Sequence, residues 1–158
     1  MMTEAFNSKS NSLILLILRL MASALMVHHG IEKISDVQGF TTYIVDQYFE
    51  FLPLNHALWT TAAAYTQIIG SLFLLLGIAT RFSAIGLAST MVFALAFHGL
   101  DTGLQGAPFG IVEAHNYEYE TSALYLAIFA ALAVWGSGLF SISTLFKASL
   151  PEKLRPWA

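Results

Sequence analysis

Arg19, Ala22, Met26, His29 and Lys33 recur every three or four residues. On an α-helix that spacing lines one face with a guanidinium, an imidazole and an ammonium. Arg19 stands among leucines and isoleucines. An arginine near the centre of a membrane helix costs about 3 kcal/mol on insertion scales, so it needs a partner or a purpose. Two readings stay open for it: a structural cation satisfied by helix-end carbonyls and Gln67, or a donor to a bound ligand. A histidine's ordinary pKa lies near neutral, so His29 is a candidate to take or give a proton. His98, Glu118 and Glu120 are expected at the same outer end, from two other helices. Histidines with carboxylates can ligate a metal or relay protons. No HxxxH spacing fixes two ligands on one turn, however, and such groups at an interface also simply face water. We assign no metal ligands. His29 and His98 could hold a b-type haem only at the outer end of their helices, an awkward depth for axial ligands. Gln67 can donate and accept inside an apolar pair of helices, but it cannot carry a proton.

Four long apolar stretches must position these groups: Lys9 to Glu32, Glu50 to Arg81, Arg81 to Asp101, and Glu120 to Lys147. Each is long enough for a membrane helix, which needs roughly 20 apolar residues to cross a core about 30 Å thick. Arg19 is the only charge inside any of them. The spacing predicts helices over about Ser12–Ile34, Asn55–Ala79, Phe82–Leu100 and Tyr119–Leu139. Thr80-Arg81 is read as the tight turn between the second and third. The aromatic, acidic stretch 35–56 predicts an interfacial helix stopped by Pro53. The fold class is therefore all-α: an integral membrane four-helix bundle, antiparallel and up-down. Its parts are a polar N-terminal tail (1–11), the helical domain (12–143) and an amphipathic C-terminal tail (144–158). Lys9 ahead of an apolar run, with Ala22-Ser23-Ala24 beyond it, suggests a cleavable signal, but Arg19 interrupts the apolar region such a signal needs. The first helix is read as retained.

Charge then sets orientation. Lys9, Arg81, Lys147, Lys153 and Arg155 fall on one side, and only Lys33 on the other. The positive-inside rule places both termini in the cytoplasm, in a bacterial-type inner membrane. Of the 158 residues, 56% are apolar and 11% charged, against roughly 25% charged in soluble domains. With no cysteine, thiol redox pairs, cysteine-ligated iron–sulfur clusters and covalent c-type haem are excluded. A net charge of −3 offers no basic patch for nucleic acid.

Several motifs, in order, resemble the DoxX family of small four-span membrane proteins. Arg19-Leu20 is followed after eight residues by His29-Gly30-Ile31-Glu32-Lys33-Ile34. The aromatic stretch ends at Leu52-Pro53, and Gly70-Ser71 leads through a leucine run to Gly77 and Thr80-Arg81. His98, Glu120 and Gly136-Ser137-Gly138 complete the series. Three positions depart from the family pattern: Gln67 where a glutamate is common, Ser71 for a second glycine, and Ser143 for a terminal aspartate. The resemblance implies a quinone-facing redox setting.

On that basis the expected function is a quinone-interacting or accessory subunit of a membrane redox complex. Arg19, Gln67 and His98 would contact the quinone, and His29 and Glu120 would handle protons. Any enzymatic activity would be that of a quinone-linked oxidoreductase subunit. A reading of another class is a non-catalytic assembly or stabilising subunit of a larger complex, suggested by small residues such as Ser83, Gly86, Ser89, Ala123 and Ala127 that favour helix docking. The expected partners are the lipid bilayer and other membrane-complex subunits. Solute transport has less support, since neither an inverted repeat nor a broken helix is evident.

Overall fold

A computed structural model describes residues 9–107, 109–146, 149 and 152 of the protein. Residues 1–8 of the expected N-terminal tail lie outside the described residues, as do Lys147, Lys153, Arg155 and Trp157 of the expected C-terminal tail. Among the described residues the chain is helical and has no strand. Its elements are α1 (Lys9–Ser35), α2 (Val37–Phe40), a π-helical turn (Thr41–Val45), α3 (Asp46–Tyr48), α4 (His56–Leu76), α5 (Thr80–Asp101), a 3-10 turn (Glu113–His115), α6 (Glu118–Trp135) and α7 (Ile142–Phe146).

Three helices, α1, α4 and α5, are long and apolar enough to cross a membrane. Their 27, 21 and 22 residues span about 40, 32 and 33 Å at the usual helical rise. At 18 residues, α6 spans about 27 Å, and its first turn carries Glu118 and Glu120. Its apolar run is shorter for that reason. Large apolar side chains such as Ile14, Leu25, Ile69, Leu72, Ile85 and Leu124 are exposed. A soluble monomer rarely presents apolar surface on this scale, whereas lipid accepts it.

Local chemistry sets the helix ends, and it moves several of them from where the apolar runs place them. Asn55 opens α4, its side chain accepting from the Ala57 amide at 2.9 Å. Gly77 closes α4 in a left-handed conformation, φ +68°. The Gly77 amide bonds Leu74 O and the Ile78 amide bonds Phe73 O, at 3.1 and 2.9 Å, the pairing of a Schellman cap. The turn is therefore Gly77 to Ala79, and Thr80-Arg81 forms the first turn of α5 rather than the connection itself. Likewise α6 stops at Trp135, because Gly136 (φ +78°) leaves helical geometry. In the other direction, α1 starts at Lys9 and takes in the last three residues of the expected polar tail.

Packing joins α1 to α4, α5 to α6, and α4 to α5; α1 and α6 also touch, less extensively. The α1–α4 pair is antiparallel. Near the end of α1, a Cβ on Gly30 would lie 2.8 Å from Ala64 O, so only glycine allows this backbone approach. Near its start, Arg19 meets Gly77 at the far end of α4. The core between the helices includes Met26, Leu74, Leu87, Met91, Phe129 and Leu132.

The segment between α1 and α4 is helical only as far as Tyr48, and Pro53 does not stop it. Phe49 has already left helical geometry (φ −131°, ψ 34°) and turns its ring inward against Phe93, centroids 5.4 Å apart. Thr41 Oγ1 meets Thr60 Oγ1 at 2.8 Å, and the Tyr48 hydroxyl donates to Asp101 Oδ1 at 2.6 Å. That hydrogen bond pushes the Tyr48 phenol above its ordinary pKa, keeping the proton it donates. The segment is thus pinned across the start of α4 and the end of α5.

Candidate functional site

The polar residues separate into two places about one helix-half apart. At the end of the helices where α4 turns into α5, Arg19 is fully buried. Its Nη2 donates to Phe140 O in the loop after α6, and a Cβ on Gly77 would overlap its Nη1. The C-terminal end of α4 and the loop after α6 therefore converge on this guanidinium. Helix C-termini carry partial negative charge and suit a cation. The same loop is tied back to α1 by the Leu139 amide on Ser12 Oγ at 3.1 Å, and α7 beyond it to Gly77 O by the Ser143 amide at 3.3 Å.

At the opposite end, where α4 and α6 begin and α5 ends, lies a cavity of about 650 Å³. Met26, Gln67, Thr90 and Met91 line its deep part, and His29, Lys33, His98, Glu118 and Tyr125 its outer part. Phe40, Ile44, Val45, Phe49 and Leu52 of the pinned segment cover it. From Thr90 to His98 on α5 is eight residues, about 12 Å of depth. The walls are largely apolar and aromatic.

The cavity's polar groups are incompletely paired. Gln67 is 2% exposed and donates through Nε2 to Thr90 Oγ1 at 3.3 Å. Its Oε1 is buried with no hydrogen-bond partner, and so is His98 Nδ1. The nearest carboxylate oxygen to His98 Nδ1, Glu118 Oε2, lies 3.7 Å away, beyond hydrogen-bond range. Lys33 bends inward: its Nζ donates to His29 O at 3.1 Å and sits 4.7 Å above the Phe40 ring centroid. The His29 ring packs edge-on to Tyr125, 6.1 Å between centroids.

A family model for DoxX matches residues 14–99. The chain belongs to the DoxX family. Neither the curated proteins nor the solved structures include a match. The DoxX match covers α1, α4 and nearly all of α5 and ends before α6. It therefore takes in Arg19, His29, Gln67 and His98 but not Glu120.

Of the residues that sequence singled out in this DoxX chain, the structure brings His29, Gln67 and His98 to one cavity. It leaves Arg19 and Glu120 off its lining. Arg19 shares a helix face with His29 but lies ten residues earlier, about 15 Å along the axis. Glu120 is exposed, because Glu118, two residues away and nearly opposite on the helix, takes the inward position. Thr90 was missed as a site residue. A buried amide on α4 needs a polar neighbour, and Ser89 and Thr90 are the only polar side chains in the middle of α5 that could supply one.

Proposed function

We propose that this DoxX protein binds a quinone headgroup in the outer cavity and serves as a quinone-interacting or accessory subunit of a membrane redox complex. One observation carries the reading: a cavity of about 650 Å³ with apolar walls has two buried polar atoms, Gln67 Oε1 and His98 Nδ1, left unpaired at its lining. Ligand cavities commonly measure about 300–1,000 Å³ and use a few polar groups to fix orientation. An unpaired buried amide costs roughly 1–3 kcal/mol, which a ligand hydroxyl can recover. The donor set fits both oxidation states: Gln67 Nε2 and a protonated His98 Nδ1 can donate to a carbonyl, and Gln67 Oε1 can accept from a hydroxyl.

A bound quinone supplies two-electron, two-proton redox chemistry. The chain's own residues hold and orient the ring, exclude water and manage protons. His98 Nδ1 and Glu118 Oε2 lie 3.7 Å apart, so a small side-chain rotation allows a proton to pass between them. His29 and the exposed Glu120 extend the polar route towards water. Arg19 takes no part at the ring; it holds the loop after α6. Electrons come from a partner subunit.

In the arrangement proposed, α1, α4, α5 and α6 cross a bacterial-type inner membrane as an antiparallel up-down bundle, with both termini cytoplasmic. Lys9 and Arg81 lie at the inner end, and the acids of α6's first turn at the outer end. The test is purification in mild detergent followed by solvent extraction. About one quinone per chain is expected, falling at least fivefold in His98→Leu. Stable co-purification with one large complex and no quinone would favour the assembly-subunit reading instead.

A further inference from the structure

The cavity has two edges of different character. At the outer rim it is lined by Glu32, Lys33, Glu118 and Thr121, all within the last or first turn of their helices and hence near water. The second edge lies along the seam between α4 and α5. There Ala62 and Ser89 are both exposed and both line the cavity. Ala62 is six residues inside the start of α4, about 9 Å down, and Ser89 twelve residues before the end of α5, about 18 Å down. Both sit at the depth of lipid.

Packing explains why the seam stays open. Near the shared turn, α4 and α5 close up: a Cβ on Gly70 would lie 3.1 Å from Leu87, and one on Gly86 would lie 3.2 Å from Thr66. At the outer end, Phe49 wedges against Phe93. Beside these contacts the small side chains of Ala62 and Ser89 leave the seam unfilled. A shallow groove of about 300 Å³ lies next to it on the outside, lined by Ile69, Gly70, Phe73, Phe82 and Gly86. Thr66 lines both cavity and groove, so this one side chain stands between them.

Building on the quinone reading above, we infer that the α4–α5 seam is a lateral portal and that the ligand is a membrane-dissolved amphiphile with a long isoprenoid or alkyl tail. Its ring reaches Gln67 from the lipid, and its tail leaves past Thr66 and lies along the outer groove. Apolar walls at lipid depth suit such a tail, and a ring without one has the water-facing rim as its route. Ala62 and Ser89 set the width of the portal, Gly86 the depth of the groove.

The test uses the full chain in lipid nanodiscs, with Trp59 fluorescence quenching as readout and two probes: a benzoquinone with a multi-unit isoprenoid tail, and the same ring without a tail. Ala62→Phe with Ser89→Phe should weaken the tailed probe at least tenfold and leave the tail-less probe within twofold of wild type. Ser83→Leu, which narrows the groove one turn away from the Gly86–Thr66 contact, should weaken the tailed probe alone. An unchanged affinity for the tailed probe in both variants, or equal loss of both probes, would overturn the portal. If wild type binds neither probe, the quinone reading itself fails; if it binds the ring but gains nothing from the tail, only the portal fails.

Discussion

Arg19→Ala should destabilise the protein by about 3 kcal/mol while leaving its affinity for quinone within twofold of wild type. The substitution removes a fully buried side chain and strands the Phe140 carbonyl that Nη2 serves. It also opens a void beside Gly77. An unpaired buried carbonyl costs roughly 1–3 kcal/mol, and deleting large buried groups adds a cavity term of similar size. Arg19→Lys should recover little, since an ammonium is more strongly hydrated than a guanidinium and costs more to bury beside the Phe140 carbonyl. Thermal unfolding in detergent gives the first number, and protease cleavage within 136–146 reports whether the loop has come free. Quinone affinity falling tenfold with an unmoved unfolding midpoint would return Arg19 to the ligand site.

Gln67→Leu should act in the opposite sense. Leucine has nearly the same bulk, loses one 3.3 Å bond to Thr90, and removes an amide oxygen buried without a partner. Replacing such a group by an apolar one is close to neutral for the empty protein. Stability should therefore hold or rise by up to about 1 kcal/mol, while quinone affinity falls at least tenfold, or about 1.4 kcal/mol. The discriminating feature is the pairing of the two results. A residue that merely packs the helices would lower stability and binding together.

These two residues also mark how far the sequence could be read. Long apolar runs give α1, α4 and α5 to within a few residues, because lipid demands long apolar helices and little else produces them. The burial of Arg19 follows from the same cost. Its partners do not: helical periodicity places Arg19 and His29 on one stripe but says nothing of which end of the stripe meets which neighbour. The end of α4 was misplaced by three residues because the apolar run continues through Ile78 and Ala79, while the left-handed Gly77 cap stops the helix earlier. Glu120 and Glu118 were separated by rotation alone. Two residues differ by about 200° around a helix, so an unfixed starting point decides which acid faces in. The covering role of Phe49 depends on its leaving the helix at that residue, which apolar patterning does not encode.

The most direct measurement uses Trp59, which lines the cavity and is one of three tryptophans in the chain. With Trp135→Phe and Trp157→Phe it becomes the sole tryptophan, and quinone titrated into nanodiscs should quench it. Saturable quenching is expected, with half-saturation shifted at least tenfold upward when Gln67→Leu is added. Quenching that rises linearly without saturating, and is the same with and without Gln67→Leu, would mean that the cavity holds no quinone.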